Sequence, residues 1–132
     1  MAGQRVAVEP VDFLAAAQAL LEQGDEMACR NAVSRVYYGA FHQAQAAGRQ
    51  LGWPEFADGG THERLIGLFL AQNHKALAYR LRDLHRQRCA ADYEIEISYP
   101  TGLAAQYVAH GARLLADLQA LHSAAPRRTI ST

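Results

Sequence analysis

The sequence predicts an all-α fold, an antiparallel bundle of four to five helices, on three observations. Half of the residues are hydrophobic and only 8% are aromatic, with alanine and leucine prominent, which favours helices over strands. Apolar residues recur every three to four positions through most of the chain, as they do on one face of a helix. The segments between these stretches are short and carry Gly, Pro, Asp or Thr, which are typical of helix ends.

The first two helices follow each other closely in the chain. The spacing predicts helix one from about Pro10 or Asp12 to a stop at Gly24. Asp25 is well placed to cap a longer second helix, because its carboxylate can accept a hydrogen bond from an unpaired N–H of the first turn. We expect this second helix to end at one of two glycines, Gly48 or Gly52.

The second half of the chain predicts three further helices after a Gly-rich loop. The expected elements are a loop over 52–60, a third helix over 62–72 capped by Thr61, a fourth helix over 73–94, and a fifth helix that starts at Thr101 after the break "SYPTG". At 132 residues the chain has no room for two cores of ordinary size. We therefore expect one domain over 1–132, with a core over about 10–122 and a flexible tail over 123–132.

Composition excludes several classes of function. Lys+Arg and Asp+Glu are both 13, so the net charge gives no electrostatic argument for a nucleic-acid partner. Cys29 and Cys89 form no metal-ligand pattern, which predicts a reduced intracellular pair and neither a metal site nor a cofactor. No apolar run approaches the roughly 18 residues of a membrane span, and the first residues lack a signal-peptide core. We expect a cytoplasmic protein without membrane contact.

One segment does not follow the helical pattern. The stretch "YEIEISY" (93–99) alternates apolar and polar residues with period two, as a half-buried strand does. One interpretation is an extended connector in which Ile95 and Ile97 pack down onto the bundle. The other is an exposed edge that pairs with another chain.

The second helix carries two different faces. Its core face is predicted to hold Cys29, Val33, Val36, Tyr37, Ala40, Ala44 and Ala47. Asn31, Arg35, Tyr38 and His42 share the other side at spacings of four, three and four residues. This polar stripe is either a solvated face, or a surface for a second protomer or a phosphate-bearing ligand, to which Arg, Tyr and His are better suited than to water.

The fourth helix places an arginine within its apolar stripe. Leu77, Leu81, Leu84 and Ala91 form the stripe. Arg88 lies in its middle, with His85 and Asp92 on the same side. Burying a lone guanidinium is costly, so Arg88 either forms an internal ion pair with Asp92 or faces an interface with another protomer. The remaining histidines, His62, His74, His110 and His122, are interpreted as surface or capping residues.

Three segments together resemble the HEPN superfamily, and in particular its small stand-alone bacterial and archaeal members. They are "SRVYYGAFHQA" (34–44), "THERLIGLF" (61–69) and "LRDLHRQRCAADYE" (81–94), in the order and at the spacing of the family. The resemblance implies a four- to five-helix bundle that usually dimerises. Catalytic members are metal-independent endoribonucleases, often toxins encoded beside a nucleotidyltransferase antitoxin. Their signature is an Arg followed after four to six residues by a His, and two copies form a composite cleft at the dimer interface.

The chain departs from this signature at one position, because Asp92 stands four residues after Arg88 and no His follows within six. The resemblance implies a toxin–antitoxin or defence protein that acts on RNA or nucleotide-like ligands as a homodimer. The alternative is a non-catalytic interaction module that binds a partner such as a nucleotidyltransferase. The candidate catalytic residues are Arg88 for phosphate, His85 or His42 for proton transfer, and Asp92; the candidate ligand or interface residues are Asn31, Arg35, Tyr38 and Tyr93, whose phenol is a nucleotidylation target in related systems.

Overall fold

The computed structural model of the chain describes residues 7–54 and 61–124 and confirms the all-α prediction. Five helices make up the fold: α1 (Pro10–Gln23), α2 (Glu26–Leu51), α3 (Thr61–Ala71), α4 (Lys75–Tyr93) and α5 (Thr101–Ala124). Within the described ranges no residue is in a strand. None of the described helices is long and apolar enough to cross a bilayer.

The helix ends follow the signals that predicted them. Gly24 closes α1 with a left-handed backbone (φ 81°), and Asp25 caps α2 by accepting a hydrogen bond of 3.2 Å from the Ala28 N–H. Gly52 closes α2 in the same left-handed conformation (φ 77°). Several predicted boundaries differ by one or two residues: α3 spans Thr61–Ala71 and not 62–72, and α4 spans Lys75–Tyr93 and not 73–94. Helix α5 continues to Ala124, so residues 123 and 124 are helical. The rest of the predicted tail, 125–132, lies outside the described residues.

The long helix α2 is the centre of the bundle, and its predicted core face is confirmed. Every residue of that face is buried: Cys29, Val33, Val36, Tyr37, Ala40, Ala44 and Ala47. Small residues permit close packing around it. At Gly39 of α2 a Cβ atom would lie 3.0 Å from the Pro10 carbonyl oxygen of α1, and at Gly111 of α5 a Cβ atom would lie 2.5 Å from Val36. These contacts hold α1 and α5 against α2 at distances that larger side chains would prevent.

Most pairs of neighbouring helices are antiparallel. In the α2–α4 pair, Arg30 near the start of α2 contacts the Ala91 carbonyl near the end of α4. Tyr38, further along α2, contacts Arg88, which precedes Ala91 in α4. The α1–α2 and α4–α5 pairs have the same relation. By contrast, α5 runs parallel to α2, because Gly111 lies against Val36, and His122 against Gln43.

The connector after α4 does not pack as the first interpretation of its sequence predicted. Residues 94–100 form turns and bends and no strand. Ile95 and Ile97 are 75% and 63% exposed, so the expectation that they pack down onto the bundle is wrong. Tyr99 is the side chain that packs inward, at 5% exposure, and its hydroxyl donates a hydrogen bond of 2.8 Å to Gln87. The reason is that side chains of the bundle form hydrogen bonds with the connector backbone on its inner side, so the isoleucine side chains face outward.

An arginine that sequence analysis did not single out holds this connector. Arg30 of α2 is 5% exposed and donates hydrogen bonds to the carbonyl oxygens of Ala91 (2.9 Å), Glu94 (3.4 Å) and Ile97. Its Nε and Nη2 both donate to the Glu26 carboxylate at 3.0 Å. The same carboxylate accepts the Tyr99 N–H at 3.0 Å, and that bond is the main reason that the pKa of Glu26 is lowered. We call Arg30 and Glu26 the connector clamp.

Candidate functional site

Polar and aromatic side chains from three helices meet beside the core at the middle of α2. We call this group the α2–α3–α4 cluster; it consists of Tyr37 and Tyr38 of α2, His62 of α3, and His85, Arg88 and Asp92 of α4. Its α4 members follow helical spacings of three and four residues, which places them on one side of that helix. The antiparallel packing of α2 and α4 then sets the two tyrosines against them.

Arg88 lies at the centre of the cluster. One terminal nitrogen, Nη2, donates a hydrogen bond to the Tyr38 hydroxyl, and Nη1 lies 3.6 Å from the Cys89 sulfur, a weak acceptor. The guanidinium carbon lies 5.1 Å from the centre of the Tyr38 ring and 5.4 Å from that of Tyr93, within the range of cation–π contacts. Tyr93 itself is 67% exposed, so one of the two rings that flank the guanidinium faces solvent.

Asp92 forms the predicted ion pair with Arg88. Its Oδ2 lies 3.2 Å from Arg88 Nε and accepts a hydrogen bond of 3.1 Å from the Ser34 hydroxyl. The Nε atom is buried, yet it makes no hydrogen bond with any described residue, because its N–H is not directed at the carboxylate. The ion pair therefore balances the charge of Arg88 without using all of its donors.

Two histidine rings stack against each other next to Arg88. The rings of His62 and His85 lie 4.8 Å apart, centre to centre, with an interplanar angle of 17°. The Tyr37 hydroxyl, on a side chain that is 1% exposed, lies 2.5 Å from His62 Nδ1. The Phe41 ring packs against the His62 ring at 4.8 Å, centre to centre, and completes its aromatic surroundings.

Both stacked histidines are held neutral at pH 7. Burial lowers the pKa of His62, and the neighbouring His85 and Arg88 lower it further. Burial also lowers the pKa of His85, again with help from Arg88. The Glu63 carboxylate opposes these effects, but its Oε2 lies 4.0 Å from His85 Nδ1 and its side chain is 69% exposed, so water weakens its influence. A neutral imidazole can accept a proton, which suits a general base.

The structure brings together only part of the predicted polar stripe of α2. Tyr38 belongs to the cluster, and Arg35 lies beside it with its guanidinium 5.5 Å from the Tyr38 ring. His42 is exposed and packs against Phe13 of α1 at 5.2 Å, so it lies at the edge of the cluster and away from Arg88. Asn31 is exposed at the other end of the stripe. Arg35, Tyr38 and His42 are therefore neighbours, since Arg35 and His42 both contact the rings of Phe13 and Tyr38.

Sequence analysis missed two members of the cluster. His62 was interpreted as a surface or capping residue, which is wrong, because it stacks on His85 within the bundle. Its position in "THERLIGLF", one of the segments that resemble HEPN proteins, was the available signal. Tyr37 was assigned to the core alone, and nothing in its spacing indicates that its hydroxyl reaches across to α3. Only the packing of α3 beside α2 reveals this bond.

The other histidines stay outside the cluster. His74 precedes α4 at its cap position and packs against Trp53. His122 contacts Gln43 at 3.4 Å. His110 was predicted to lie at the surface, but it is half-buried, and its Nε2 is buried without a hydrogen-bond partner among the described residues.

A concave region lies between the start of α1 and the end of α2, outside the α2–α3–α4 cluster. It encloses about 320 Å³ and is lined by Phe13, His42 and Arg49 among others. No group of three or more described His, Cys, Asp or Glu residues is placed to hold a metal ion. Cys29 and Cys89 are both free thiols. The sequence matches no protein-family model and no curated protein.

Proposed function

We propose that the chain is a HEPN-type domain of the toxin–antitoxin or defence kind, which acts on RNA as a homodimer and cleaves it without a metal ion. The observation that carries this proposal is the surroundings of Arg88. Its Nη1 and Nη2 donate one hydrogen bond each, to the Cys89 sulfur and the Tyr38 hydroxyl, although each carries two N–H groups, and a neutral histidine, His85, lies 3.7 Å from the same sulfur. A cation with free donors beside a neutral base is the pair of groups that phosphodiester cleavage requires.

In the proposed reaction, Arg88 binds the scissile phosphate and His85 acts as the general base. His85 takes the proton of the 2′-hydroxyl, and the 2′-oxygen forms a bond to phosphorus. The bond from phosphorus to the 5′-oxygen then breaks, and that oxygen leaves with the bonding pair and takes a proton from water. The products are a 2′,3′-cyclic phosphate and a 5′-hydroxyl, and His85 returns its proton to solvent. Arg88 stabilises the extra negative charge of the pentacoordinate phosphorus.

Asp92, which stands where the family signature has histidine, has a different role in this proposal. The Asp92 carboxylate already pairs with Arg88 at 3.2 Å and accepts a hydrogen bond from the Ser34 hydroxyl. It orients the guanidinium instead. His42 is a less suitable base than His85, because its ring packs against Phe13 and away from Arg88.

The test compares cleavage of a single-stranded RNA by the purified protein in excess EDTA with cleavage by variants. We expect Arg88→Ala to lower the rate about 100-fold or more, because a donor to the transition-state oxyanion is lost. Arg86→Ala is the matched control, since Arg86 is an exposed arginine on the same helix and should leave the rate unchanged. Equal cleavage by the Arg88→Ala variant, or no cleavage by any form at high protein concentration, would contradict the proposal.

The Arg88–Asp92 ion pair also favours a second candidate, a non-catalytic module that binds a nucleotidyltransferase-type partner. In that case Arg88 serves the architecture, and its replacement should change melting temperature or oligomeric state without any effect on RNA. The exposed Tyr93, 5.4 Å from the guanidinium, would be the group within reach of such a partner. Modification of Tyr93 by a co-expressed nucleotidyltransferase, detected by mass spectrometry, would support this alternative.

A further inference from the structure

We propose that His62, held by Tyr37, is a neutral hydrogen-bond donor to the phosphate that Arg88 binds, while the stacked His85 carries its proton on the opposite nitrogen and acts as the base. This inference rests on the proposed function and assigns the two histidines different tasks. It concerns two residues, Tyr37 and His62, that lie outside the catalytic Arg and His pair of the family.

The Tyr37 hydroxyl is a hydrogen-bond donor to His62. This side chain is 1% exposed, and burial raises its pKa, so the phenol keeps its proton. A buried hydroxyl requires an acceptor, and the one that the described residues offer is His62 Nδ1 at 2.5 Å. Since Tyr37 donates, Nδ1 of His62 accepts and carries no hydrogen. The single proton of the neutral His62 ring is therefore on Nε2.

The second step concerns the charge of His62. The groups that face its ring are Tyr37 and Tyr38 from α2, Glu63 on its own helix, and His85 and Arg88 from α4. Of these, only Glu63 favours the protonated form, and its side chain is 69% exposed. Protonation would place a second cation beside Arg88 in a partly dry environment. His62 thus remains a neutral donor at pH 7.

The third step concerns His85, whose surroundings favour the other tautomer. Its Nε2 lies 3.7 Å from the Cys89 sulfur, and its Nδ1 lies 4.0 Å from the Glu63 carboxylate. The Cys89 sulfur already accepts from Arg88, so its S–H can donate to His85 Nε2, which places the His85 proton on Nδ1 and the lone pair on Nε2. Two parallel rings at 4.8 Å thus differ in which nitrogen is protonated. One ring offers an N–H and the other offers a lone pair.

The first experiment measures tautomers directly, by ¹⁵N-resolved NMR of the histidine rings in the full-length protein. We expect His62 to show the Nε2–H form and His85 the Nδ1–H form between pH 7 and 8. In the Tyr37→Phe variant His62 loses its fixed donor, so its signals should shift toward a mixture of both tautomers. A His62 ring protonated on Nδ1 in the unsubstituted protein would overturn the inference whatever the activity.

The second experiment uses two replacements of similar shape. The amide nitrogen of Gln lies near the position of Nε2 and can donate there, whereas the Asn amide occupies the position of Nδ1. We expect His62→Asn to lower kcat for RNA cleavage about 100-fold and His62→Gln to keep most of it, within about tenfold of the original rate. His122→Asn is the control, since His122 contacts Gln43 outside the cluster. Melting curves show that the variants are folded at the assay temperature.

The outcomes separate this inference from the proposed function. No cleavage by the unsubstituted protein would remove both. Cleavage that depends on Arg88 but is equal in the His62→Asn and His62→Gln variants would overturn the inference alone, because a merely structural role does not distinguish the two amides. Selective loss in His62→Asn, together with the Nε2–H tautomer, would support it.

Discussion

Two arginine side chains join α2 and α4: Arg30 extends from α2 to α4, and Arg88 extends from α4 to α2. They differ in how many of their N–H groups have a hydrogen-bond acceptor. Arg30 is 5% exposed, and each of its three nitrogens donates to a carboxylate or carbonyl oxygen of the described residues. Arg88 has two hydrogen bonds, to the Tyr38 hydroxyl and to a sulfur, and its Nε is buried without one. The Arg88 guanidinium is flanked by the rings of Tyr38 and Tyr93, whereas the Arg30 guanidinium is surrounded by oxygen acceptors.

This difference distinguishes an arginine that builds the fold from one that is available to a ligand. A guanidinium with all five N–H groups matched gains nothing from a phosphate and would have to break existing bonds to meet one. A guanidinium stacked on tyrosine and paired with one carboxylate keeps its charge and several donors. Burial alone does not separate the two cases, since both side chains are largely buried.

The largest effect is expected at Arg30. Arg30→Met removes all of its bonds to the connector and leaves several carbonyl oxygens unpaired, so we expect a loss of about 3 kcal/mol in the free energy of unfolding. For a domain of this size that corresponds to a fall in melting temperature of about 10 °C. Thermal and urea denaturation followed by circular dichroism measure it.

Arg88→Met is the matched variant for that measurement. Without the Arg88 guanidinium, Asp92 keeps its bond to Ser34 and is partly exposed to water. We therefore expect the free energy of unfolding to fall by about 1 kcal/mol or less. The comparison fails if Arg88→Met destabilises the protein as much as Arg30→Met, because Arg88 would then also be a structural residue.

A smaller effect is expected from pH, and it is specific to the region of Arg88. The pKa values of His62 and His85 are lowered in the folded state, so the unfolded chain binds more protons below the ordinary value near 6.5. The stability that these residues contribute is complete above pH 6.5 and is lost as the pH falls from there through the lowered folded values. We expect a lower melting temperature at pH 5 than at pH 7.5.

The controls for this pH effect use the causes of the two pKa shifts. Arg88→Met removes one cause that acts on both histidines, so the loss of stability on acidification should become smaller. The double variant His62→Gln, His85→Gln should reduce it further. The connector clamp does not interfere in this range, because the pKa of Glu26 is lowered from 4.5 and the carboxylate stays ionised at pH 5. A pH dependence unchanged in the double variant would assign it to other groups.

A small effect, similar in size to that of Arg88→Met, is expected at Ser34, which links the cluster to α2. Ser34→Ala removes one hydrogen bond to Asp92 from a buried hydroxyl, for which we expect a loss of about 1 kcal/mol in urea denaturation. The Arg88–Asp92 pair remains in this variant. A loss above 2 kcal/mol in the free energy of unfolding would mean that the Asp92 contacts stabilise the fold about as much as the connector clamp does. The contrast between Arg30 and Arg88 would then be smaller.

Much of the fold could be predicted from the sequence because its signals are local. Gly24, Asp25 and Gly52 act within one turn of their own helix ends, and the buried face of α2 follows from periodicity alone. The connector could not be predicted this way, since alternation in "YEIEISY" indicates which residues differ in polarity but not which side faces the bundle. Arg30, sixty residues earlier, determines that side.

The candidate site divides along the same line. Arg88, Asp92 and His85 could be selected from α4 because they share a face at helical spacing, and the Arg88–Asp92 ion pair was one of the two interpretations offered. His62 and Tyr37 could not be selected, since their contact joins α2 to α3 and depends on how both pack. The resemblance to HEPN proteins included His62 as a marker of the family and assigned it no task.

The sequence by itself determined the helices, their ends, the buried face of the central helix, and the presence of a charged group within the apolar stripe of α4. These properties depend on residues within a few positions of one another, where spacing and capping chemistry are sufficient. Only the tertiary structure decided which arginine is saturated, where Ile95 and Ile97 point, and which histidines meet. Those properties depend on contacts between segments far apart in the chain, and burial and hydrogen bonding there follow from packing and not from spacing.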